Sequence, residues 1–186
     1  MSARERLLEL LVERSYANRD VVLTSGRRSD FFIDCKQTVL TAEGHALVGA
    51  EMLDALEKLP GPRVVAVAGV ELGGCPLASA VSLLSFQRGG RPALDAIYVR
   101  KDEKAHGSRR TLEGDTTLPQ QSRVAILEDV ITTGGSTLKA AEKLRAAGYV
   151  VAGVIALVDR EEGGADAIAQ AGLPFVALYG RSVFPR

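Results

Sequence analysis

An α/β architecture, with a mostly parallel central sheet flanked by helices, is expected of this 186-residue chain. From residue 62 onward, short runs rich in β-branched residues recur: "RVVAVAG" at 63–69, "PALDAIYV" at 92–99, "RVAILED" at 123–129, "YVVAGVIALV" at 149–158 and "PFVALY" at 174–179. Apolar runs without polar alternation suit strands buried on both faces. Between them stand "CPLASAVSLLSFQRG", "GSTLKAAEKLRAAG" and "GGADAIAQAG", rich in Ala or Leu and bounded by Gly, as helices are. Strand and helix alternating over this length form the pattern of parallel strands joined by helical crossovers.

The chain opens with "MSARERLLELLVERSYA", where Leu7, Leu8, Leu11 and Val12 fall at helical spacing and predict an amphipathic surface helix. Glu9 and Glu13 interrupt the apolar centre that a signal peptide requires. The polar segment "TSGRRSDFFIDCKQT" and a second helix, "AEGHALVGAEMLDALEKL", follow; residues 1–61 are expected to form helices and a flap over the main sheet. Residues 62–186 supply the α/β core, so 1–186 reads as one domain, and 46% hydrophobic composition is ample for its interior. After the first core strand comes the turn "GVELGG", whose glycines permit close approach of backbone amides to a ligand. The connection at 100–122, "RKDEKAHGSRRTLEGDTTLPQQS", is almost free of apolar residues. A loop longer than about 15 residues in a compact domain is either functional or disordered. His45, inside the second helix, reads as a surface or packing residue.

Composition excludes several classes of function. Lys plus Arg balance Asp plus Glu at 23 each, so no overall positive field exists to hold a nucleic acid or an anionic membrane. No apolar run approaches the roughly 18 residues of a membrane span. Cys35 and Cys75 lack metal-type spacing and read as small packing residues, which fits a cytoplasmic protein with reduced thiols.

The chemistry concentrates in "RVAILEDVITTGGSTLKAA", residues 123–141. Ligands of an open parallel sheet sit beyond the carboxyl ends of its strands, where Glu128 and Asp129 fall. Thr132, Thr133, Ser136 and Thr137 then bring hydroxyls, while Gly134 and Gly135 let the backbone curl its amides toward an anion at the start of a helix from about Ser136. The acids cannot serve that phosphate; they suit a vicinal diol or a divalent cation, held directly or through water. Diol on the acids and phosphate on the glycines describe a ribose 5-phosphate. Neither a Walker loop nor a Gly-x-Gly-x-x-Gly fingerprint occurs in the chain.

This stretch resembles the phosphoribosyl-diphosphate (PRPP) motif of the type I phosphoribosyltransferases. "SGRRSDFFID", residues 25–34, is similar to the Ser-Gly-Arg/Lys-x-Ser flap segment of the orotate phosphoribosyltransferase family, and "VRKDEKAHG", residues 99–107, to its mobile loop. "ALVDREEGG" resembles the family's Asp-Arg-x-x-Gly segment. The resemblance implies the type I phosphoribosyltransferase fold with an N-terminal hood and a long lid. It further implies transfer of ribose 5-phosphate from PRPP to orotate in pyrimidine biosynthesis, giving orotidine 5'-monophosphate and diphosphate.

Residue by residue, PRPP is expected to meet Arg100, Lys101, Lys104, His106, Glu128, Asp129, Val130, Ile131, Thr132, Thr133, Gly134, Gly135 and Ser136, and orotate Thr132 and Arg160, with Lys104 and Asp129 catalytic. A guanidinium is a sensible planar partner for the acidic edge of orotate. Phe31 and Phe32 point to opposite faces at strand spacing, so at least one is expected in the core. The resemblance also implies a homodimer whose lid serves the neighbouring subunit, and Mg2+ held mainly through the substrate with no direct protein ligand. Thr24 and Gly73 stand where many family members carry lysine, leaving Arg27, Arg28 and Lys36 as candidate replacements. Two rivals remain: a transferase for another base such as a purine, which shares only residues 128–137, and a non-catalytic PRPP sensor that binds nucleic acid, opposed by the zero net charge.

Overall fold

The computed structural model describes residues 1–22, 28–89, 93–101 and 111–185. Two strands, β1 (Tyr16–Val22) and β2 (Arg28–Ile33), pair antiparallel as a hairpin. A second sheet contains β3 (Ala66–Val70), β4 (Asp95–Val99), β5 (Leu112–Glu113), β6 (Arg123–Ile131), β7 (Val150–Asp159) and β8 (Phe175–Gly180) in the order β5-β4-β3-β6-β7-β8. All its pairings are parallel except β4 with β5. Helices α1 (Ala3–Arg14), α2 (Lys36–Val39), α3 (Ala42–Leu56), α4 (Gly74–Gln87), α5 (Gly135–Ala146) and α6 (Gly164–Gln170) surround it, and a short 3-10 turn, Arg181–Val183, follows β8.

Strand periodicity divides the interior into two layers. Ala125 and Leu127 of β6, with Ile155 and Leu157 of β7, pack with Leu7, Leu11, Val48, Met52, Leu77 and Val81 from α1, α3 and α4. The intervening Val124, Ile126, Val154 and Ala156 face the other way, toward Leu144 of α5 and Ile168 of α6. The expected α/β sandwich is therefore present, and burial on both faces explains the unbroken apolar runs. In α1, Ser2 and Glu5 cap each other's backbone N–H, with Glu5 N donating to Ser2 Oγ and Ser2 N to Glu5 Oε2, an arrangement worth about 1 kcal/mol. Leu7, Leu10 and Leu11 carry its burial; Leu8 and Val12, expected on the same stripe, are only partly covered.

Three features depart from the sequence expectation. β6 runs on to Ile131, because Val130 and Ile131 keep their ladder with Val158 and Asp159. The polar connection at 100–122 returns through β5, where buried Leu112 pairs with Val99 and clips the segment to the sheet edge. α2, which the sequence did not announce, is locked to α1 by buried Thr38, whose hydroxyl donates to Leu10 O at 2.9 Å and lies 2.7 Å from Ser15 Oγ. The hairpin itself rests on rings: Tyr16, Phe31 and Phe184 stand with centroids 5.3–5.5 Å apart. Phe31 is thus core, while Phe32 is half-buried, as strand alternation requires.

Connectivity locates the crevice. From β3 the chain crosses through α4 to β4 on one side, and from β6 it crosses through α5 to β7 on the other. Ligands bind at such a reversal in open α/β sheets. The β3–β6 ladder ends at Gly69 and Leu127, so Glu128 and Asp129 are the first residues of β6 beyond it.

Candidate active site

The two acids, adjacent in one strand, meet different surroundings. Glu128 is buried and accepts hydrogen bonds from Thr137 Oγ1 at 3.0 Å and Ser136 Oγ at 3.4 Å, both in the first turn of α5. Burial, reinforced by the charge of Asp129, pushes its pKa up to about 8 against the weaker pull of those hydroxyls. Asp129 accepts from Val130 N at 2.9 Å through Oδ1, and Cys35 Sγ lies 3.8 Å from its carbonyl oxygen. Its carboxyl is also raised, by burial, with the positive charge of Lys36 opposing. Lys36 in turn pairs with Asp34 at 2.5 Å. Of the three candidate replacement cations, Lys36 is described, and its charge reaches Asp129; Arg27 lies outside the described residues, and of Arg28 only the backbone, in β2, is described.

Gly73, in the turn after β3, makes room for this arrangement. A Cβ built there would stand 2.0 Å from Asp129 Oδ2 and 2.2 Å from its Cγ. No side chain fits without displacing the carboxylate. In the sequence this glycine shows only as a missing lysine; that its empty side accommodates Asp129 has no sequence signature.

The loop after β6 takes the expected form. Gly134 adopts a left-handed φ of 78°, and α5 begins at Gly135 with no side-chain cap. Thr133 and Ser136 are exposed, Thr132 half-buried, and Ile131 packs in the core, so Ile131 and Val130 can offer a ligand backbone groups rather than polar side chains. A helix N-terminus opening on a hydroxyl-rich glycine turn is an anion site. Thr137 belongs to the same run, but its fully buried hydroxyl turns back to Glu128, a role that only the helical geometry discloses.

Arg160, just past β7, joins this loop through its amide, which donates to Ile131 O at 2.9 Å. Arg160 is thereby bonded to the residue before Thr132. The buried guanidinium donates to Glu162 Oε1 at 3.0 Å and to Phe31 O at 2.8 Å, tying the hairpin to the sheet, and sits over the Phe31 ring at 5.5 Å. Arg181 lies over the same ring at 5.4 Å and lines a cavity of about 460 Å³ with Tyr16, Asn18, Phe31, Glu161 and Phe184.

Arg100 and Lys101 stand at the end of β4. Lys101 N donates to Glu71 Oε2 at 2.9 Å, which joins the start of the polar connection to the turn after β3. Lys104 and His106, like Arg109, Arg110 and residues 24–27 of the flap, lie outside the described residues. Cys35 and Cys75 are buried, and His45, half-buried in α3, makes a 3.1 Å hydrogen bond between Nδ1 and Val39 O, as packing residues do. Among the described residues no group of three or more His, Cys, Asp or Glu side chains converges to hold a metal ion.

Residues 50–171 match the family model of the phosphoribosyl transferase domain. The chain is 70% identical to the orotate phosphoribosyltransferase of Sorangium cellulosum, over 98% of this chain and 93% of that protein. Orotate phosphoribosyltransferase of Thermosynechococcus vestitus is 47% identical over 95% of this chain and 89% of its own. Among solved structures, the Mycobacterium tuberculosis orotate phosphoribosyltransferase in complex with Fe(III) dicitrate superposes with a TM-score of 0.80 at 34% identity, covering 97% of this chain and 98% of that one. The same enzyme in complex with PRPP gives 0.78 at 31% identity, covering 97% and 98%.

Proposed function

Because the chain belongs to the orotate phosphoribosyltransferase family, which transfers ribose 5-phosphate from PRPP to orotate in pyrimidine biosynthesis, we propose that residues 128–137 hold the ribose 5-phosphate of the donor. The observation carrying this reading is the adjacency of buried Glu128, half-buried Asp129, a left-handed Gly134 and an uncapped α5 at the sheet's switch point. The loop amides and the hydroxyls of Thr133 and Ser136 take the 5'-phosphate. Glu128 and Asp129 accept from the ribose hydroxyls and so fix the sugar for in-line departure of diphosphate. Arg100 and Lys101, with Lys104 and His106, supply cations to the departing diphosphate, whose growing negative charge they stabilise. Asp129, with Lys104, is the catalytic residue in this scheme, and orotate is held by Thr132 and Arg160.

The crevice supports Mg2+ held mainly through the substrate. Glu128 and Asp129, adjacent in one strand, turn to opposite faces, Glu128 toward Thr137 and Asp129 toward the turn at Gly73. They would therefore meet a cation one carboxylate at a time, directly or through water, with substrate oxygens completing its shell. When bound, Mg2+ neutralises charge on the diphosphate leaving group.

A homodimer with lids serving the neighbouring subunit belongs to the same proposal. Leu83 and Phe86 of α4 are 56% and 74% exposed, and they continue a stripe with Ser79, whose hydroxyl meets Tyr98 OH. Tyr98, which this stripe reaches, lies two residues before Arg100 and the polar connection, and a second copy seated on the stripe is the proposed partner. Residues 1–61 and 62–186 act as one domain in this reading, since α1 and α3 share one apolar cluster with β3, β6 and β7. A cytoplasmic site of action fits the two free thiols. No helix among the described residues is long and apolar enough to cross a membrane.

Incubating the protein with PRPP, Mg2+ and single bases while following diphosphate release tests the reading. Orotate alone should support turnover; release with a purine instead, or with no base, refutes it.

A further inference from the structure

We infer that Lys143, a residue of α5 given no role so far, is a positioning residue that fixes Arg100 and Lys101 relative to the phosphate loop. The inference rests on the diphosphate-binding role proposed for those two cations. Lys143 Nζ donates to Arg100 O at 2.6 Å and to Lys101 O at 2.7 Å. Successive carbonyls of an extended chain point to opposite edges. For both to reach one ammonium, the backbone must leave β4 in a bent form, and the ammonium gathers that bend.

Neighbouring hydrogen bonds make the bend a fixed junction. Arg100 N donates to Thr111 O at 2.9 Å, Lys101 N to Glu71 Oε2 at 2.9 Å, and Glu71 N to Val99 O at 2.9 Å. Lys143 supplies the side of this junction that faces α5. A lysine in the last turn of a helix ordinarily serves its own terminal carbonyls, whereas this one reaches a segment more than forty residues away in sequence.

The same helix face carries Ser136 at its start and Lys139 and Lys143 on the turns that follow; with Arg100 and Lys101 they line a cavity of about 330 Å³. Arg100 Nε is buried there and has no hydrogen-bond partner among the described residues. From Ser136 to Lys143 the helix spans about 10 Å at about 1.5 Å per residue. α5 is therefore a strut between the residues proposed for the 5'-phosphate and those proposed for the 1-diphosphate, and Lys143 is the joint at its far end. A donor molecule anionic at both ends needs that separation held constant.

Lys143→Met and Lys143→Arg, compared with the unaltered chain, test this. The Met variant should lose about tenfold in kcat/KM for PRPP, keep its KM for orotate, and melt within about 3 °C of the parent. The Arg variant should recover most of the loss, since a guanidinium can also donate to two carbonyls. Limited trypsin digestion supplies a readout independent of turnover: fragments ending at Arg100 or Lys101 should appear faster from the Met variant. Parental kcat/KM for PRPP in Lys143→Met, or a loss that Arg does not restore, overturns the inference, as does unchanged cleavage at both bonds. An unaltered chain that releases no diphosphate from PRPP and orotate would instead remove the functional reading, while the trypsin comparison still decides whether Lys143 holds the junction.

Discussion

Replacing Glu128 with Gln should make the ligand-free protein more stable in alkaline solution while it abolishes efficient turnover. Glu128 is 5% exposed, and burial followed by the charge of Asp129 raises its pKa from 4.5 to about 8. In the unfolded chain the group ionises near 4.5. Between these values the unfolded state binds fewer protons than the fold, so stability falls as pH rises. Its contribution is fully present below about 4.5 and lost as pH passes about 8. At about 1.36 kcal/mol per pH unit, the interval sets a ceiling of about 5 kcal/mol on the cost of ionising Glu128 in the fold. The carboxamide introduced by Glu128→Gln keeps the shape, still accepts from Thr137, and never ionises. Even half the ceiling moves Tm by at least about 5 °C in a chain of this size. The chain has no Trp, so melting is best followed by circular dichroism, in buffer containing chelator and no substrate. The difference, variant minus parent, should be near zero at pH 5 and should grow to several degrees by pH 8.5. A difference that stays flat across that range, or changes in the parent's favour, refutes the reasoning.

Gly73→Ala should displace the Asp129 carboxylate, since its Cβ would meet Oδ2 at 2.0 Å; steady-state kinetics should register a loss of at least about tenfold in kcat/KM for PRPP, and parental kinetics would mean that Asp129 needs no such space. Thr38→Val deletes the hydroxyl that serves Leu10 O and Ser15 Oγ inside the α1–α2 contact. Denaturant titration should show a loss of about 2 kcal/mol with unchanged site kinetics. Lys104→Ala should lower kcat strongly without moving Tm. Mixed with Gly73→Ala under conditions of verified subunit exchange, it should regain activity in hybrid dimers if the lid serves the neighbouring subunit.

The sheet was legible because its strands are buried on both faces, which leaves an unbroken apolar run where Val124 to Leu127 stand. Strand ends were less so: Val130 and Ile131 read like the opening of the glycine turn until their ladder to β7 is seen. Leu112 was hidden as a lone apolar residue in a charged stretch, since a two-residue edge strand leaves no periodicity. The candidate phosphate loop stood out because its glycines, hydroxyls and acids sit close together in sequence. Contacts across the crevice had no such signature. Spacing could not show that the charge of Lys36 reaches Asp129, Gly73 looked only like an absent cation, and a lysine near a helix end, such as Lys143, reads alike whether it caps its own helix or fastens another segment.

The ring cluster beneath the hairpin joins residues far apart in the sequence, so it can close only late in synthesis. Phe31 is seated by Phe184, Tyr16 OH donates to Pro185 O at 2.6 Å, and Tyr179 OH donates to Arg4 O at 2.6 Å. Roughly 150 residues separate the two phenylalanines, a wait of roughly 8–30 s at about 5–20 residues per second. Glu128 and the glycine turn are made within that interval, while the hairpin still lacks its floor. Phe31 therefore gains its packing only once Phe184 has followed, and the hairpin is among the last parts of the fold to be fastened.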